Sequence, residues 1–422
     1  MRNDSPKIQL NDGATMQGTR KVLFLIYAAL LSTIGLFASD LYLPALANIQ
    51  QFYQTDAGTV GLSLSIYMAG FSIGQLFYGA ISDQLGRKAP LFIGLLLFLA
   101  GTLGCIYARS IEFFLFCRLL QSLGVCAAYV LWQPMIVDLF DGNDVQKLFT
   151  LMMALGGLSP ALAPLIGGYV TAYFGWKMVF GLLLALTVLL LAWTLFGYRE
   201  SLAPANRTAF SATRVLKSYG SFLSSRFFIG HACAIACGIT LYLVFLTMLP
   251  FILTGIGYSA DAIGLMYLPI ALTFIAGTEV AKRQYAKLGD AGSMKVGICF
   301  GMAGALLLFL TPLFFSVSAA WKIIVPFSLI TFGNGFLVPT GSAFLIKCFA
   351  DRAGACASSI GFMVTTVAFI SISVASLLAG PLGMVTAMTA TILLFSALMG
   401  LALLWGRHAQ ADSRVSYSAD GS

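Results

Sequence analysis

Long hydrophobic segments follow one another along almost the whole chain, and each is about as long as a membrane-spanning helix. They lie at about residues 21–46, 57–81, 89–108, 111–137, 148–171, 176–198, 223–254, 260–281, 295–315, 320–347, 353–379 and 383–406. Alternating strands of about ten residues, which are typical of outer-membrane barrels, are not found in the pattern. The pattern therefore predicts an all-α membrane protein with twelve transmembrane helices.

The longest polar interior stretch separates these segments into two sets of six. Two similar halves are typical of transporters that are built from repeats. We therefore expect two six-helix pseudo-repeats, at residues 21–198 and 223–406, joined by a cytoplasmic linker at residues 199–222. Residues 1–20 and 407–422 are expected to be cytoplasmic tails.

The linker contains apolar residues that could form one stripe beside Arg214 and Lys217. The members of this stripe are Phe210, Leu216, Tyr219 and Phe222. Such a stripe suits a short helix at the membrane surface. A flexible linker remains an equal alternative.

Composition supports a membrane protein and gives its orientation. Hydrophobic residues make up 59% of the chain and charged residues only 9%, against about 25% charged in soluble proteins. With the N-terminus in the cytoplasm, 20 of the 24 Lys and Arg residues fall on the cytoplasmic side and 3 on the other side. This excess supports the helix count and predicts that both termini are cytoplasmic. The expected location is the plasma (bacterial inner) membrane. The excess also explains the net charge of +8 without a nucleic-acid partner.

Two opposite charges are expected inside the membrane. Asp40 lies about six residues before the outer end of the first segment, or roughly 9 Å below it. Arg118 lies seven residues into the fourth segment, or roughly 10 Å below the same boundary. Both should face the bundle interior, because either charge alone is costly in the bilayer. Pairing between them is possible, although depth gives no information on azimuth.

The pair suggests proton coupling, because Arg118 stays charged whereas Asp40 can take up a proton. Burial favours the neutral form of a carboxyl group, and a nearby guanidinium favours its charged form. Small changes around Asp40 could therefore switch its protonation. The alternative is a permanent structural ion pair without proton transfer.

The candidate substrate-binding residues are aromatic or carry amides. Tyr129 shares a helix face with Arg118, because residues 11 apart differ by only about 20° around a helix. The full set is Tyr42, Gln121, Tyr129, Trp132, Gln133, Tyr242, Tyr267 and Asn334. A cavity of this chemistry suits partly apolar ligands that are neutral or cationic. The alternative for each residue is ordinary helix packing.

Cysteine usage gives little support for a metal site. Most of the eight cysteines lie in apolar segments, and Cys233 and Cys237 are one helical turn apart. His231 is the only imidazole nearby, and no carboxylate completes a ligand set. Buried small hydrophobic residues are the favoured interpretation, so no metal and no cofactor are expected.

The loop after the second segment, "GAISDQLGRKAPL", carries residues with clear physical roles. Gly79 is expected to allow close helix approach and Gly86 a tight turn. Asp83 can face a helix N-terminus, and Arg87, followed by Lys88, can reach Asp138 at the end of the fourth segment. The stretch resembles the G-x-L-A-D-x-x-G-R-K signature of the major facilitator superfamily. By this resemblance, the network latches the outward-facing conformation.

Two further motifs resemble those of drug:proton antiporters in that superfamily. "FCRLLQSLGVCAAY" is similar to R-x-x-Q-G-x-G in the fourth helix, with Ser122 in place of a glycine. "APLIGG" is similar to G-P-x-x-G-G in the fifth helix, with Ala163 in place of the glycine. This motif implies a kinked, leak-sealing helix that contains Pro160, Pro164, Gly167 and Gly168.

Three stretches resemble the twelve-span Bcr/CflA-type exporter subfamily: "SDLYLPAL", "YRESL" and the start of the second half, "SRFFIGHACAIACGITLYLVFLTMLPFIL". The second half contains only a degenerate version of the loop signature, "GTEVAKRQYAKLGD". The resemblance implies the major facilitator fold and proton antiport, with the proton gradient in place of a cofactor.

The expected function is proton-coupled export of small amphiphilic drugs, for example amphenicol-type antibiotics, by a monomer in the lipid bilayer. Export of one native metabolite, such as an amino acid or a siderophore, is the alternative, and an uptake symporter ranks lower. No Walker lysine motif supports an ATP-driven pump. No nucleophile or metal constellation indicates an enzyme, and a receptor would have only a short linker for signalling.

Overall fold

The computed structural model describes residues 19–140, 142–208 and 212–419. Within these ranges the chain is helical almost throughout and contains no β-strand. The predicted all-α fold is therefore confirmed.

The first half contains α1 (Thr19–Asp40), α2 (Leu46–Tyr53), α3 (Ala57–Leu85), α4 (Lys88–Tyr107), α5 (Ile111–Leu139), α6 (Gly142–Phe174) and α7 (Trp176–Ala192). A π-helical turn, Trp193–Gly197, follows α7. The connecting helix is α8 (Ala212–Leu223). The second half contains α9 (Arg226–Gly255), α10 (Ala260–Phe314), α11 (Trp321–Cys348), α12 (Ala353–Leu382) and α13 (Met384–Ala419).

Among the described residues, 11 helical segments are long and apolar enough to cross a membrane, and one of these is α10. With 55 residues, α10 is far longer than the roughly 20 residues that one crossing needs. Its path is interrupted at Gly289, where φ is 61° and ψ is −172°. Because this conformation is not helical, α10 consists of two crossings, and the structure agrees with twelve spans.

The first span is broken in the middle, directly after Asp40. Helix α1 ends at Asp40, a short 3₁₀ helix (Leu43–Ala45) follows, and α2 continues to Tyr53. Pro44 explains the break, because it lacks a backbone N–H and disfavours helical conformation in the residue before it. The prediction that the first span ends near residue 46 is therefore wrong, because the span continues to Tyr53. Asp40 lies 13 residues before that end, whereas six residues were predicted.

The two halves pack closely at the end of the bundle away from the start of α1. A methyl group built on Gly61 of α3 would approach the Ser376 Oγ of α12 to 2.6 Å. One built on Gly168 of α6 would come within 3.0 Å of the Gly264 Cα of α10. Only glycine permits these approaches without displacement of the partner helix. We call this end of the molecule the far end, and the end with the starts of α1 and α9 the basic end.

The halves separate along α6 toward the basic end. Pro164 and Gly168 of α6 face α10 near the far end. Two and three turns from Pro164 along the same side of the helix, Gly157 and Met153 are exposed. A gap between α6 and α10 therefore opens toward the basic end, while the far end is closed.

Helix α8 connects the two halves at the basic end. The Tyr219 hydroxyl donates to the Gln75 carbonyl of α3 at 3.3 Å, and its ring packs edge-on against Phe362 of α12. The Arg352 guanidinium lies 5.0 Å from the centre of the Phe222 ring. The helical alternative for the linker is thus confirmed, while Phe210, at the start of the expected stripe, lies outside the described residues.

Candidate functional site

Arg118 of α5 is fully buried and surrounded by aromatic rings. Its guanidinium carbon lies 4.1 Å from the centre of the Tyr42 ring and 4.4 Å from that of Tyr67. Phe180 forms a third wall at 5.9 Å. Cation–π contacts of this kind contribute about 2 kcal/mol or more when the cation is desolvated. The rings therefore offset part of the cost of a charge inside the bundle.

Hydrogen bonds fix the orientation of the guanidinium but do not saturate it. Arg118 Nη1 donates to the side-chain oxygen of Gln121 and to the Ala38 carbonyl, the latter at 3.3 Å. Gln121 in turn donates to the Thr102 hydroxyl at 2.8 Å. The Nε and Nη2 atoms of Arg118 are buried without a hydrogen-bond partner. Two donors thus remain available inside the first half.

Asp40, at the C-terminus of α1, is 5% exposed. The Ser39 hydroxyl donates to its carboxylate at 2.8 Å, and Ser159 of α6 lies beside the same group. The turn that follows Asp40, Leu43–Ala45, contacts α9 and α10 of the second half. The carboxyl group therefore lies where the first half meets the second.

Asp40 and Arg118 do not form the ion pair that their similar depth suggested. Among the described residues, no carboxylate oxygen lies within 4.0 Å of the Arg118 guanidinium. The reason is azimuth: Arg118 reaches back to Ala38 and into the aromatic rings, whereas Asp40 turns toward Ser159 and the second half. A fixed cation and a titratable acid are thus neighbours without direct contact.

Four of the eight proposed substrate-binding residues are held by hydrogen bonds inside the bundle. Tyr42 bonds to Ser63 at 3.1 Å, and Gln121 belongs to the Arg118 network. Tyr267 donates to the Leu246 carbonyl at 3.1 Å, and Asn334 donates to the Gly238 carbonyl at 2.7 Å. Their positions in the sequence were compatible with a cavity wall. Helical periodicity does not show, however, whether such a side chain faces the cavity or is packed against a neighbouring helix.

The other four candidates are less constrained. Tyr129, Gln133 and Tyr242 are only partly buried, and Tyr129 packs edge-on against Phe71 with ring centres 5.0 Å apart. Trp132 is buried against Phe149, and its indole N–H has no partner. The binding role of all eight residues stays a prediction, and Tyr129, Gln133 and Tyr242 are the most accessible of them.

The Arg87 network predicted at the basic end is present. Arg87 Nε contacts Asp138 at 3.0 Å, and Nη1 contacts Asp83 in the last turn of α3. The turn before Arg87 contains Gly86 at φ 90°. Only glycine adopts this conformation easily, so the tight turn expected at Gly86 is present. Lys88 donates to the Tyr198 carbonyl at 2.8 Å. The proposed role of the network as a latch stays a prediction.

Sequence reasoning missed the residues that complete this network. The Glu200 carboxylate accepts from the backbone N–H groups of Arg87 and Lys88, at 2.8 and 3.0 Å. It therefore occupies the N-terminus of α4, where the helix dipole favours an anion. Asp83, for which a helix N-terminus was expected, contacts Arg87 instead. Glu200 lies in the "YRESL" stretch, which was noted only as a resemblance.

Tyr198 and Ser201 extend the network to Asp138. The Tyr198 hydroxyl donates to Ser201 at 2.8 Å, and Ser201 donates to Asp138 at 3.0 Å. Burial raises the pKa of Tyr198, so the phenol keeps its proton and remains a donor.

Gly79 does not have the role expected for it. A methyl group built on Gly79 would meet no atom within 4 Å. The expectation of close helix approach there is wrong for this conformation, because the neighbouring helices have already diverged.

The antiporter-type motif of α6 lies where the helix meets both α1 and the second half. Helix α6 is continuous and contains both Pro160 and Pro164. Gly167 lies directly against the Leu41 carbonyl at the break of the first span, and Gly168 lies against α10. This packing is the tight contact expected of the two glycines, and their role in sealing the protein stays a prediction.

Removal of Arg87 is expected to destabilise the first half. Arg87→Ala would leave the largely buried Asp138 with only Ser201, and breaking a buried pair costs on the order of 3 kcal/mol. Thermal unfolding in detergent would show a lower Tm and, by the latch hypothesis, slower turnover. Arg283→Ala is a suitable control, because its pair with Glu279 is exposed and worth about 1 kcal/mol or less. Equal Tm values for both variants would contradict the expected role of Arg87.

The described residues contain no group of three or more His, Cys, Asp or Glu side chains that could hold a metal ion. Cys233 and Cys237 are both unoxidised, and His231 bonds to the Phe227 carbonyl at 2.8 Å. The candidate chemistry therefore centres on Asp40 and Arg118.

Comparison with known proteins identifies similar resistance proteins in two bacteria. Multidrug resistance protein D of Escherichia coli (strain K12) is 26% identical over 348 residues, 82% of this chain and 86% of that protein. The chloramphenicol resistance protein of Pseudomonas aeruginosa is 26% identical over 344 residues, 79% of this chain and 78% of that protein.

The fold also occurs in solved structures. A bacterial homologue of the human lysosomal transporter Spinster has a TM-score of 0.72 at 12% identity, with 93% of this chain and 97% of that chain covered. At this identity the likeness shows the fold alone. The model of the Major Facilitator Superfamily matches residues 28–372. The chain therefore belongs to the major facilitator superfamily, as its sequence motifs indicated.

Proposed function

We propose that this protein is a proton-coupled antiporter that exports small amphiphilic drugs across the plasma membrane. Relatives named for resistance to multiple drugs, to chloramphenicol and to bicyclomycin support drug export. Amphenicol-type antibiotics are the first substrates to test. Protons are the coupling ion, and no other cofactor is needed.

The position of Asp40 carries this proposal. Its carboxyl group is buried at the junction of the two halves, and a proton can neutralise it. A buried ionisable residue in a membrane protein commonly marks an ion pathway. Arg118 keeps its charge at all physiological pH values, so Asp40 alone of these two changes charge. Protonation at one face of the membrane and release at the other would couple Asp40 to the movement of the halves.

The conformation also supports export. The far end is closed, whereas α6 and α10 separate toward the basic end. If the basic end is cytoplasmic, as the positive-inside rule indicates, this conformation is open to compounds from the cytoplasm. A substrate would enter there and leave after the far end opens.

The charges of the site favour neutral or monocationic substrates. Asp40 and Arg118 together carry little net charge, and the accessible candidate residues are aromatic or carry an amide. A multiply anionic ligand would lack compensation for the several kcal/mol that desolvation of each charge costs. Aromatic surfaces, in contrast, accept apolar ligands of varied shape.

The test is a resistance profile in cells that lack their other exporters, with compounds of different charge. Expression of the protein should raise resistance to neutral and monocationic amphiphiles. Purified protein in proteoliposomes should then exchange the same compounds for protons. Export of a multiply anionic compound alone would refute the proposal and favour a dedicated metabolite exporter. Proton-driven accumulation of the substrate on the cytoplasmic side would favour an uptake symporter.

Tyr129→Ala is expected to change the rank order of substrates more than the overall activity. The side chain is partly buried, packs against Phe71 and makes no hydrogen bond to the described residues, so other apolar contacts can replace it for some ligands. The measurement is the same resistance profile, normalised to protein level. Tyr107→Ala is the control, because Tyr107 is 74% exposed at the end of α4. An unchanged rank order would remove Tyr129 from the binding site.

A further inference from the structure

The two halves carry exchanged charges at corresponding positions of the basic end. A glycine with positive φ precedes the third crossing of each half: Gly86 at φ 90° and Gly289 at φ 61°. The next residue is Arg87 in the first half and Asp290 in the second. The penultimate residue of α5 is Asp138, and the penultimate residue of α11 is Lys347. A basic residue and an acidic residue have thus changed places.

In the first half this region is filled, and in the second half it is open. Arg87, Asp138 and the segment around Glu200 occupy it in the first half. In the second half, Asp290 and Lys347 do not approach to within 4.0 Å among the described side chains. Tyr285 instead donates to Asp290 at 2.8 Å, and the Lys347 ammonium lies 6.0 Å from the centre of the Tyr285 ring.

What remains is a groove of about 360 Å³ between α10 and α11. Its apolar floor is small and smooth, being formed by Ala281, Gly335, Pro339 and Ala343, and Lys282 and Lys347 border it. Lys282 has a single ion-pair partner at the edge of contact distance, Glu279 at 3.9 Å, and its side chain is 79% exposed. Both ammonium groups can therefore turn toward a ligand.

The groove faces away from the region between the halves. On α11, Asn334 and Gly341 contact α9. At 100° per residue, Pro339 and Ala343 lie on the opposite side of the helix, and both are exposed. Because they are on the outside of the bundle at its membrane-spanning level, lipid rather than transported substrate is the molecule that meets them.

We propose that this groove binds an anionic phospholipid. The phosphate group lies between Lys282 and Lys347, and the start of an acyl chain lies on Pro339 and Ala343. The two lysines and Asp290 give the groove a charge of +1, because Glu279, which is not part of its lining, is paired more closely with Arg283 at 3.2 Å. One phosphodiester neutralises this charge. Basic pockets between transmembrane helices on the cytoplasmic side are suited to such head groups. A zwitterionic lipid, with no net charge, leaves the +1 uncompensated.

The test is retention of phosphatidylglycerol by the purified full-length protein, measured by native mass spectrometry against phosphatidylcholine. Lys282→Gln with Lys347→Gln should weaken retention by roughly thirtyfold, since each lysine contributes about 1 kcal/mol. Lys287→Gln with Lys295→Gln removes the same charge from outside the groove and should have little effect. Equal losses in both double variants would overturn the proposal, because they would indicate general surface attraction.

A second variant separates a lipid from free phosphate. Ala343→Trp fills the apolar floor, leaves every charge in place and lies at an exposed position. It should abolish retention of phosphatidylglycerol. Inorganic phosphate at matched concentration should displace none of the bound lipid. Unchanged retention in the tryptophan variant, or complete displacement by phosphate, would overturn the lipid assignment. Since neither measurement involves transport, both outcomes are independent of the proposed export function.

Discussion

Asp40→Asn is expected to abolish substrate accumulation driven by a proton gradient while the protein stays folded. Asn has nearly the same shape as the protonated carboxylic acid but cannot release a proton. With one proton exchanged per substrate, a pH difference of one unit supports at most about a tenfold substrate gradient. That gradient should be lost in the variant, and its transport should no longer depend on pH.

The measurement uses proteoliposomes with an imposed pH difference and, separately, substrate exchange without one. The variant should retain exchange, because the path through the protein is unchanged. Asp40→Glu should keep part of the coupling. Asp56→Asn is the matched control, since Asp56 is a carboxylate at the N-terminus of α3, outside the candidate spans. Normal proton exchange in Asp40→Asn would show that another group carries the proton.

Gly168→Leu is expected to force the far end open. The added side chain would collide with the Ala260 carbonyl and Gly264 of α10, and overpacking of this kind costs about 1–3 kcal/mol. Only the closed conformation is destabilised in this way, so the ratio of open to closed molecules at the far end should rise by roughly 5-fold to 150-fold. Transport should fall accordingly.

Distances between spin labels at Tyr173 of α6 and Leu313 of α10 would report this shift, in a background without the eight native cysteines. Both positions are well exposed near the far end. Gly157→Leu is the control, because it lies on the same helix with no atom within 4 Å of a built methyl group. A distance distribution that is equal in both variants would contradict a gate at Gly168 and Gly264.

Sequence reasoning succeeded where the membrane itself constrains the chain. Hydrophobic length predicts the spans, and the positions of Arg87 and Asp138 at helix ends on one side predict their contact. The break after Asp40 was missed, although Pro44 signals it, because the hydrophobic pattern continues across it.

The direction in which each side chain points around its helix, and the neighbours it packs against, could not be predicted from the sequence. Asp40 and Arg118 lie near each other, since Arg118 donates to the Ala38 carbonyl, yet their side chains turn to different neighbours. Gln121 and Asn334 occupy plausible cavity positions, but internal carbonyl and hydroxyl groups already satisfy them. Such assignments depend on contacts between distant segments, which periodicity along one helix does not encode.

The buried acid Asp40 determines the electrical character of the proposed exchange. Within the described residues, Asp40 is the most deeply buried Asp or Glu, because Asp138 at the basic end keeps 15% of its side chain exposed. Exchange of one proton for a neutral compound moves one positive charge inward, so the membrane voltage adds about 2.3 kcal/mol per 100 mV to the driving force. Exchange for a monocation moves no net charge and responds to the pH difference alone. Neutral compounds should therefore be exported against steeper gradients than cations in cells with a high membrane voltage.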